Sequence, residues 1–517
     1  MKRRLNYNGV IPGLLWELPF RRRLMNHSPN IILIMTDQQR ADLSKREGFE
    51  LDTTPFLDSL AQQGRWFNHA YTPMPACAPA RTSMLTGRYP NAHGIRENYE
   101  LYRAVFEQDV FSIMKEQGYR TALIGKNHTY LTAERVDYFA NYDHLGSRRK
   151  PNSAQEEEFD SWLKTLGFHI SLEPSPFPLE CQLPYRMVSD AQDWIKDNSD
   201  QPFCMWLSFP EPHNPYQVPE PYYSLFQPAD LPPLDTNEQD FMNRGFKWQY
   251  THRIGEMGFP DYQASIPRAR ANYLGMLRLL DDQLKRFVTF LEVEGLRENT
   301  LVVFMADHGD FVGEYGMLRK GPEMPEVLMR IPFFAVGPGV EANPLPHPAF
   351  VSLVDLLPTL CEFTGVGLPK GVQGKSFWPL LSGQDYPPGE FASVYGEQGV
   401  GGLHYTEDDV TEVQPGLPTS KTGAFDCLNS CSQSGLLRMV RKGEWKLVLD
   451  MQGRGQFFNL ADDPFELNNL WGKADYIREQ TELLTELAVK MMQAVDPLPI
   501  PASGYTRKVN PRNYWVE

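Results

Sequence analysis

The chain has few cysteines: six in 517 residues, at 77, 181, 204, 361, 427 and 431, too sparse for a disulfide framework. It has no apolar run of the ~18–20 residues that a membrane span requires. It has no excess of basic charge either. Fifty Lys and Arg against 65 Asp and Glu leave a formal charge of −15, the wrong sign for a main partner that is nucleic acid or an anionic membrane. Gly (39) and Pro (43) together stay well under the ~25–30% of low-complexity chains. Disorder and fibrous repeats are therefore excluded as global descriptions. A secretory leader is the one feature the N-terminus invites, since Lys2, Arg3 and Arg4 precede an apolar stretch. Pro12, Glu17 and Pro19 interrupt that stretch, and Arg21 to Arg23 stand where small residues should be cleaved. Residues 1–28 thus read as a leader without a signal peptide, with Met1 or Met25 as the start, and the expectation is a cytoplasmic protein.

What is present is a globular pattern, 41% hydrophobic and 22% charged, long enough for two or three domains. Ile31 to Met35 is a continuous apolar run, as in a strand buried on both faces, and it stops at Thr36-Asp37-Gln38. Thr54 is read as an N-cap before Pro55, with Phe56, Leu57, Leu60 and Ala61 on one face and Gly64 as the stop. A helix is expected over Asp109 to Gln117, then strands over Thr121 to Ile124 and Phe203 to Phe209. Apolar residues from Tyr273 to Leu291 recur at helical spacing before a second buried run, Leu301 to Met305. A strand Ile331 to Val336 and a helix Ser352 to Phe363 follow. Alternation of this kind predicts an α/β fold, a large, mostly parallel sheet sandwiched by helices, over residues 29–385.

From residue 386 to 517 the pattern changes to a smaller α+β domain with an antiparallel sheet. Gly396 to Gly402 reads as irregular, Leu437 to Arg441 and Trp445 to Leu449 as a hairpin, Gln456 to Asn459 as a further strand, and Tyr476 to Met492 as a closing amphipathic helix.

Two buried strands end in metal-ligand residue types, Asp37-Gln38 and Asp307-His308. Ligands of open parallel sheets gather at the carboxyl ends of strands, so these pairs are expected to converge. Two carboxylates, an amide oxygen and an imidazole suit a hard divalent ion such as Ca²⁺ or Mg²⁺. Cys77 opens Cys77-Ala78-Pro79-Ala80-Arg81 at the start of a short helix, where backbone N–H groups favour an anion.

Cys-x-Pro-x-Arg followed by Leu85-Thr86-Gly87-Arg88 resembles the signature of the formylglycine-dependent sulfatases, in the alkaline phosphatase superfamily. The resemblance extends over about residues 30 to 470. Gly125-Lys126-Asn127-His128 looks like the family's Gly-Lys-x-His element and Pro212-His213-Asn214-Pro215 its Pro-His-x-Pro element. Lys320 follows Asp307-His308 at the family's interval, and the stretches around Trp445 and Asn459 resemble its C-terminal sheet. The resemblance implies a catalytic set of Cys77, Arg81, Lys126, His128, His213 and Lys320. It implies one Ca²⁺, with Mg²⁺ or Mn²⁺ less favoured, on Asp37, Gln38, Cys77, Asp307 and His308. Cys77 would be oxidised to formylglycine by a partner maturase, and its hydrate would attack the sulfur of a sulfate ester. His213 with Lys320 would protonate the departing alcohol, and His128 would take a proton from the remaining hydroxyl as sulfate leaves.

Gln38 stands where many sulfatases carry a second aspartate, and His308 where some carry asparagine. Phosphonate monoester hydrolases show a similar Asp-Gln and Asp-His pairing but typically lack the Lys and His kept here as Lys126 and His128. Sulfate-ester hydrolysis is therefore ranked above phosphonate or phosphodiester hydrolysis, and both above a silent glycan-binding relative. Arg96, Asn98, Tyr102, Arg103, Trp248, His252 and Arg253 are candidates for a rim that would hold a sulfated carbohydrate.

Overall fold

The computed structural model describes residues 28–148, 151–258, 261–409 and 433–498. All but the last residue of the expected leader 1–28, the start at Met1 or Met25, and Cys427 and Cys431 lie outside the described residues.

The strands in chain order are β1 (Asn30–Asp37), β2 (Arg65–Trp66), β3 (Ala70–Tyr71), β4 (Arg120–Lys126), β5 (Tyr138–Asp143), β6 (Gly146–Ser147), β7 (Phe203–Pro212), β8 (Thr300–Ala306), β9 (Phe333–Val336), β10 (Val351–Ser352), β11 (Ser393–Gly401), β12 (Gly435–Lys442), β13 (Trp445–Asp450) and β14 (Gly455–Asn459). Eight of them form one sheet in the order β2-β9-β8-β1-β7-β4-β5-β6. The five strands from β8 to β5 run parallel, and the edges β2, β9 and β6 pair antiparallel.

The uninterrupted apolar run of β1 has its cause in two-sided burial. Ile31, Leu33 and Met35 enter one core while Ile32 and Ile34 enter another, so both phases of the pleat meet apolar neighbours. β8 divides in the same way, with Leu301, Val303 and Met305 on the first face and Val302 and Phe304 on the second. Helices cover both faces. Those used below are α1 (Pro55–Gln62), α2 (Cys77–Thr86), α3 (Leu183–Asn198), α4 (Tyr262–Val293) and α5 (Ile477–Gln493).

Two expectations need correction. Helix α1 begins at Pro55, but the Thr54 side chain does not cap it. The free N–H groups of Phe56 and Leu57 donate instead to the Asp281 carboxylate on α4, at 2.9 and 2.7 Å, so a tertiary partner replaces the local cap. Residues 396–402, expected to be irregular, supply most of strand β11. Their glycines obscure the strand pattern because closeness is what the position demands. A Cβ on Gly396 would meet the methyls of Met329 and Met439 at 2.7 and 3.1 Å.

β11 to β14 form a separate four-stranded antiparallel sheet. One face carries α5 over Tyr395, Val440, Leu447 and Phe457. The other face docks Val394, Leu437, Met439 and Val448 on Tyr71, Met324, Met329 and Phe350 of the large unit. At this seam Glu326 is bonded to Arg441 and Tyr71 and lies 3.1 Å from Lys446 Nζ, which also meets Glu466 at 2.8 Å.

Burial opposes ionisation of Glu326, yet Arg441 and Lys446 hold its carboxyl down at about 2. Its contribution to stability is thus full above the ordinary carboxyl value of 4.5 and fades as pH falls toward 2. Glu326→Ala strands the buried Arg441 and leaves Lys446 with Glu466 as its one carboxylate partner. It is expected to cost about 3–5 kcal/mol in urea unfolding at pH 7, with the deficit against wild type shrinking below pH 4.5.

Candidate active site

The carboxyl ends of the adjacent strands β1 and β8 place Asp37 and Asp307 side by side, both fully buried. Between them enters α2, all ten of whose residues are buried. Its first residue, Cys77, brings Sγ to 3.3 Å from His308 Nε2 and 3.6 Å from Asp37 Oδ1. No side chain at the N-cap satisfies α2. Asn98 does so from outside, its Oδ1 accepting from the Ala78 N–H at 3.0 Å. That contact makes Asn98 a brace for the helix that carries Cys77.

Arg81, one turn into α2, offsets the two carboxylates. Its Nε donates to Asp307 Oδ2 at 2.8 Å, and its NH2 lies 3.5 Å from Asp37 Oδ2. Its NH1 donates to Lys126 O and Ser208 Oγ at 2.9 and 2.7 Å. Lys126, the last residue of β4, is ion-paired through Nζ to Asp37 Oδ2. Lys320 donates at 3.2 Å to Gln38 Oε1 and lies 3.2 Å from His213 Nε2. The Gln38 amide nitrogen donates to Asp310 Oδ2 at 2.5 Å, and the Gln38 N–H donates to Asp307 Oδ1 at 2.9 Å. Gln38, His128 and Arg319 all hold left-handed φ values, 68°, 46° and 70°. Backbone strain therefore clusters around the site.

The charges shift the titrating groups together. Burial and Asp37 push the Cys77 thiol up, but Lys126, Lys320 and His308 outweigh them and hold it well below its usual range. Burial opposes ionisation of Asp307, which His308 and Arg81 nonetheless keep low. Burial also opposes protonation of His308, while Asp307 and Cys77 raise its affinity for a proton. His213 is driven well down by burial and then by His144 and Lys320.

One donor atom each from Asp37, Cys77, Asp307 and His308 lies within 4.8 Å of all the others. His308 Nδ1 is engaged with Gly309 O at 2.8 Å, which leaves Nε2 facing the group. Two carboxylate oxygens and an imidazole nitrogen, already turned inward and buried, fit a divalent cation.

His144 escaped the sequence reading. It sits just past the end of β5, stacks on His213 with ring centroids 3.8 Å apart, and brings Nε2 to 3.7 Å from Asp37 Oδ2. The rule that singled out Asp37 and Asp307, polar residues at the carboxyl end of a parallel strand, applies to it equally. Asp310 and Ser208 escaped as well.

The expected rim divides. Tyr102 and Arg103 are exposed, with the guanidinium 5.7 Å from the Tyr102 ring centroid. Arg96 is half-buried on the same segment, and Arg253 is exposed on a separate helix. Trp248 is not on a rim: it is completely buried between Phe311 and Tyr315, and its Nε1 donates to Glu323 at 2.8 Å. His252 is likewise buried, stacked on Phe241. Both aromatic rings complete a local core, so neither is free to receive a ligand.

The geometry thus sets a buried carboxylate and imidazole centre at the strand ends of an α/β sandwich, and the family match and relatives that follow put the chain in the alkaline phosphatase superfamily. Residues 29–366 match the sulfatase family model, and the chain belongs to the sulfatase family. An arylsulfatase of Clostridium perfringens is 29% identical over 514 residues, covering 92% of this chain and 96% of the relative. A phosphonate monoester hydrolase of Agrobacterium radiobacter superposes with a TM-score of 0.74 at 23% identity, over 91% of this chain and 97% of its own. A 2-O GAG sulfatase gives 0.68 at 20% identity, over 95% and 98%. The last two likenesses establish the shared fold. Family and relatives together make this chain a sulfuric ester hydrolase.

Arg81→Met removes the cation that faces both buried carboxylates. The substitution is expected to cost about 3–5 kcal/mol, read by denaturant unfolding of the metal-free chain at pH 7.

Proposed function

We propose that the chain hydrolyses sulfate esters of a carbohydrate, using formylglycine made from Cys77 and one divalent cation. The observation that carries this reading is the position of Cys77: first residue of a buried helix, within 3.6 Å of Asp37 and His308, with Arg81 and Lys126 alongside. Asp37, Asp307, His308 and residue 77 would hold the cation, preferentially Ca²⁺. Gln38 would join them by exchanging its hydrogen bond from Lys320 for the ion. Cation and hydrated aldehyde together would supply a polarised sulfate oxygen and a nucleophilic hydroxyl.

The remaining roles fall to side chains of this chain. Arg81, Lys126 and Lys320 come from three segments and offset the negative charge that grows on sulfate oxygens. His213 and Lys320 hold a proton between Nε2 and Nζ at 3.2 Å. A bound anion favours the protonated form of this pair, which then protonates the departing alcohol. His128, whose Nδ1 is buried without a hydrogen-bond partner, accepts the proton released when sulfate departs. Exposed Tyr102 and Arg103 suit a sulfated sugar, presenting an aromatic face beside a cation. Phosphonate hydrolysis is the second reading, favoured by Gln38 and His308 in the positions that those hydrolases share. Lys126 and His128 favour sulfate.

Co-expression with a formylglycine-generating maturase should give, by intact mass, the loss expected when a thiol becomes an aldehyde at residue 77. The product should cleave sulfated sugars and aryl sulfates, whereas Cys77→Ala should bind substrate without turnover. A matured chain inactive on sulfate esters but active on phosphonates would reverse the ranking.

Chelation should abolish activity and Ca²⁺ should restore it; activity that survives removal of the ion, verified by elemental analysis, would refute the cation. Among the ligand substitutions Asp307→Ala should cost most. Lys126→Ala should lower both kcat and kcat/KM by about 10²–10³, the loss expected when a group that meets growing charge is removed. Unchanged kinetics would remove the argument for sulfate over phosphonate.

A further inference from the structure

We infer that His144 is a positioning residue that holds the His213 ring in line for proton delivery, an inference that rests on the role proposed above for His213.

Three observations carry it. The two imidazoles lie face to face, centroids 3.8 Å apart and planes 24° from parallel. Phe168 meets both rings at a steep angle, 5.8 Å from His144 and 6.3 Å from His213. His213 is therefore bounded by a flat ring on one face and by Phe168 at an angle of 74°. Its Nδ1 is tied to Asn214 O at 2.7 Å, and Asn214 Nδ2 donates to Phe168 O at 2.6 Å. With Nε2 also met by Lys320 Nζ at 3.2 Å, the ring is held at both nitrogens, and what remains is tilt of its plane about that axis, which the stack with His144 restrains.

His144 can do this because its own position is stiff. It lies in the tight turn between β5 and β6, where the Leu145 N–H donates to Asp143 at 2.9 Å and Asp143 pairs with Gly146. Asp160 supports the turn from below: one carboxylate oxygen accepts from the Ser147 N–H at 3.0 Å and the other from Arg186 at 2.7 Å. Gly146, at a φ of 129°, leaves no room for a Cβ, which would stand 2.5 Å from Asp160 Cγ. Its backbone is fixed by this turn, and its contact with His213 is a ring stack rather than a hydrogen bond, so it acts through the shape of its ring.

A misplaced acid hurts most where the departing oxygen most needs a proton. The test is kcat/KM of the matured full-length chain over aryl sulfates, from the good leaving group 4-nitrophenol to the poor one phenol. His213→Ala should lose far more on phenyl than on 4-nitrophenyl sulfate. His144→Ala should show the same slope at reduced size, about 10–100-fold on phenyl sulfate and under about fivefold on 4-nitrophenyl sulfate, a range typical of misaligned groups. His144→Phe keeps a flat ring and should recover at least about a third of wild-type activity on phenyl sulfate. A second readout needs no maturation: in the Cys77 chain, the ¹⁵N signals of the His213 ring should report protonation fixed on Nδ1 in wild type and His144→Phe, and averaged over both nitrogens in His144→Ala.

A steep series for His213→Ala with a flat one for His144→Ala overturns the positioning role alone. So does a His144→Phe chain that folds, by its unfolding midpoint, yet is no better than His144→Ala. A flat series for His213→Ala overturns the acid assignment and this inference with it.

Discussion

Two carboxylates buried at the ends of neighbouring strands, Asp37 and Asp307, constrain everything around them. An uncompensated buried charge costs several kcal/mol, so groups of opposite sign must be brought to the spot from elsewhere in the chain. Arg81 arrives on a helix, Lys126 at the end of another strand and His308 from the residue beside Asp307. The same gathering that relieves the carboxylates builds a place where an anionic ester can be held despite the overall charge of −15. Global charge and local field differ in sign because a handful of fixed cations at short range outweighs many distant, solvent-screened acids.

The sheet was legible because its strands are buried on both faces, and two-sided burial writes itself as unbroken apolar runs such as Ile31 to Met35 and Leu301 to Met305. The polar residues that end those runs were legible for the same reason, since the change of character is abrupt. Other features are written in partners distant in sequence. Thr54 has the right chemistry for a cap, but Asp281, more than 220 residues away, does the work. Gly396 weakens the strand pattern of β11 because the space its side chain would fill belongs to two methionines.

The site was legible in its motifs and opaque in its supports. Cys77, Arg81, Lys126 and His213 stand in short local patterns. His144 belongs to no such pattern, and its identity as a site residue depends on how a two-strand turn folds over His213. Trp248 errs in the opposite direction: an aromatic among polar neighbours resembles a ligand platform, whereas its ring fills a pocket between Phe311 and Tyr315.

The seam at Glu326 has a consequence for how the chain is made. Its cation Arg441 lies 115 residues further along, so at synthesis rates of about 5–20 residues per second the large unit waits on the order of ten seconds for that partner. Until β12 emerges, Tyr71, Met329 and Phe350 have no sheet against them, and Glu326 keeps Tyr71 and Arg330 but lacks both Arg441 and Lys446. The large unit thus carries an apolar face with a half-paired carboxylate until the last quarter of the polypeptide arrives to cover it.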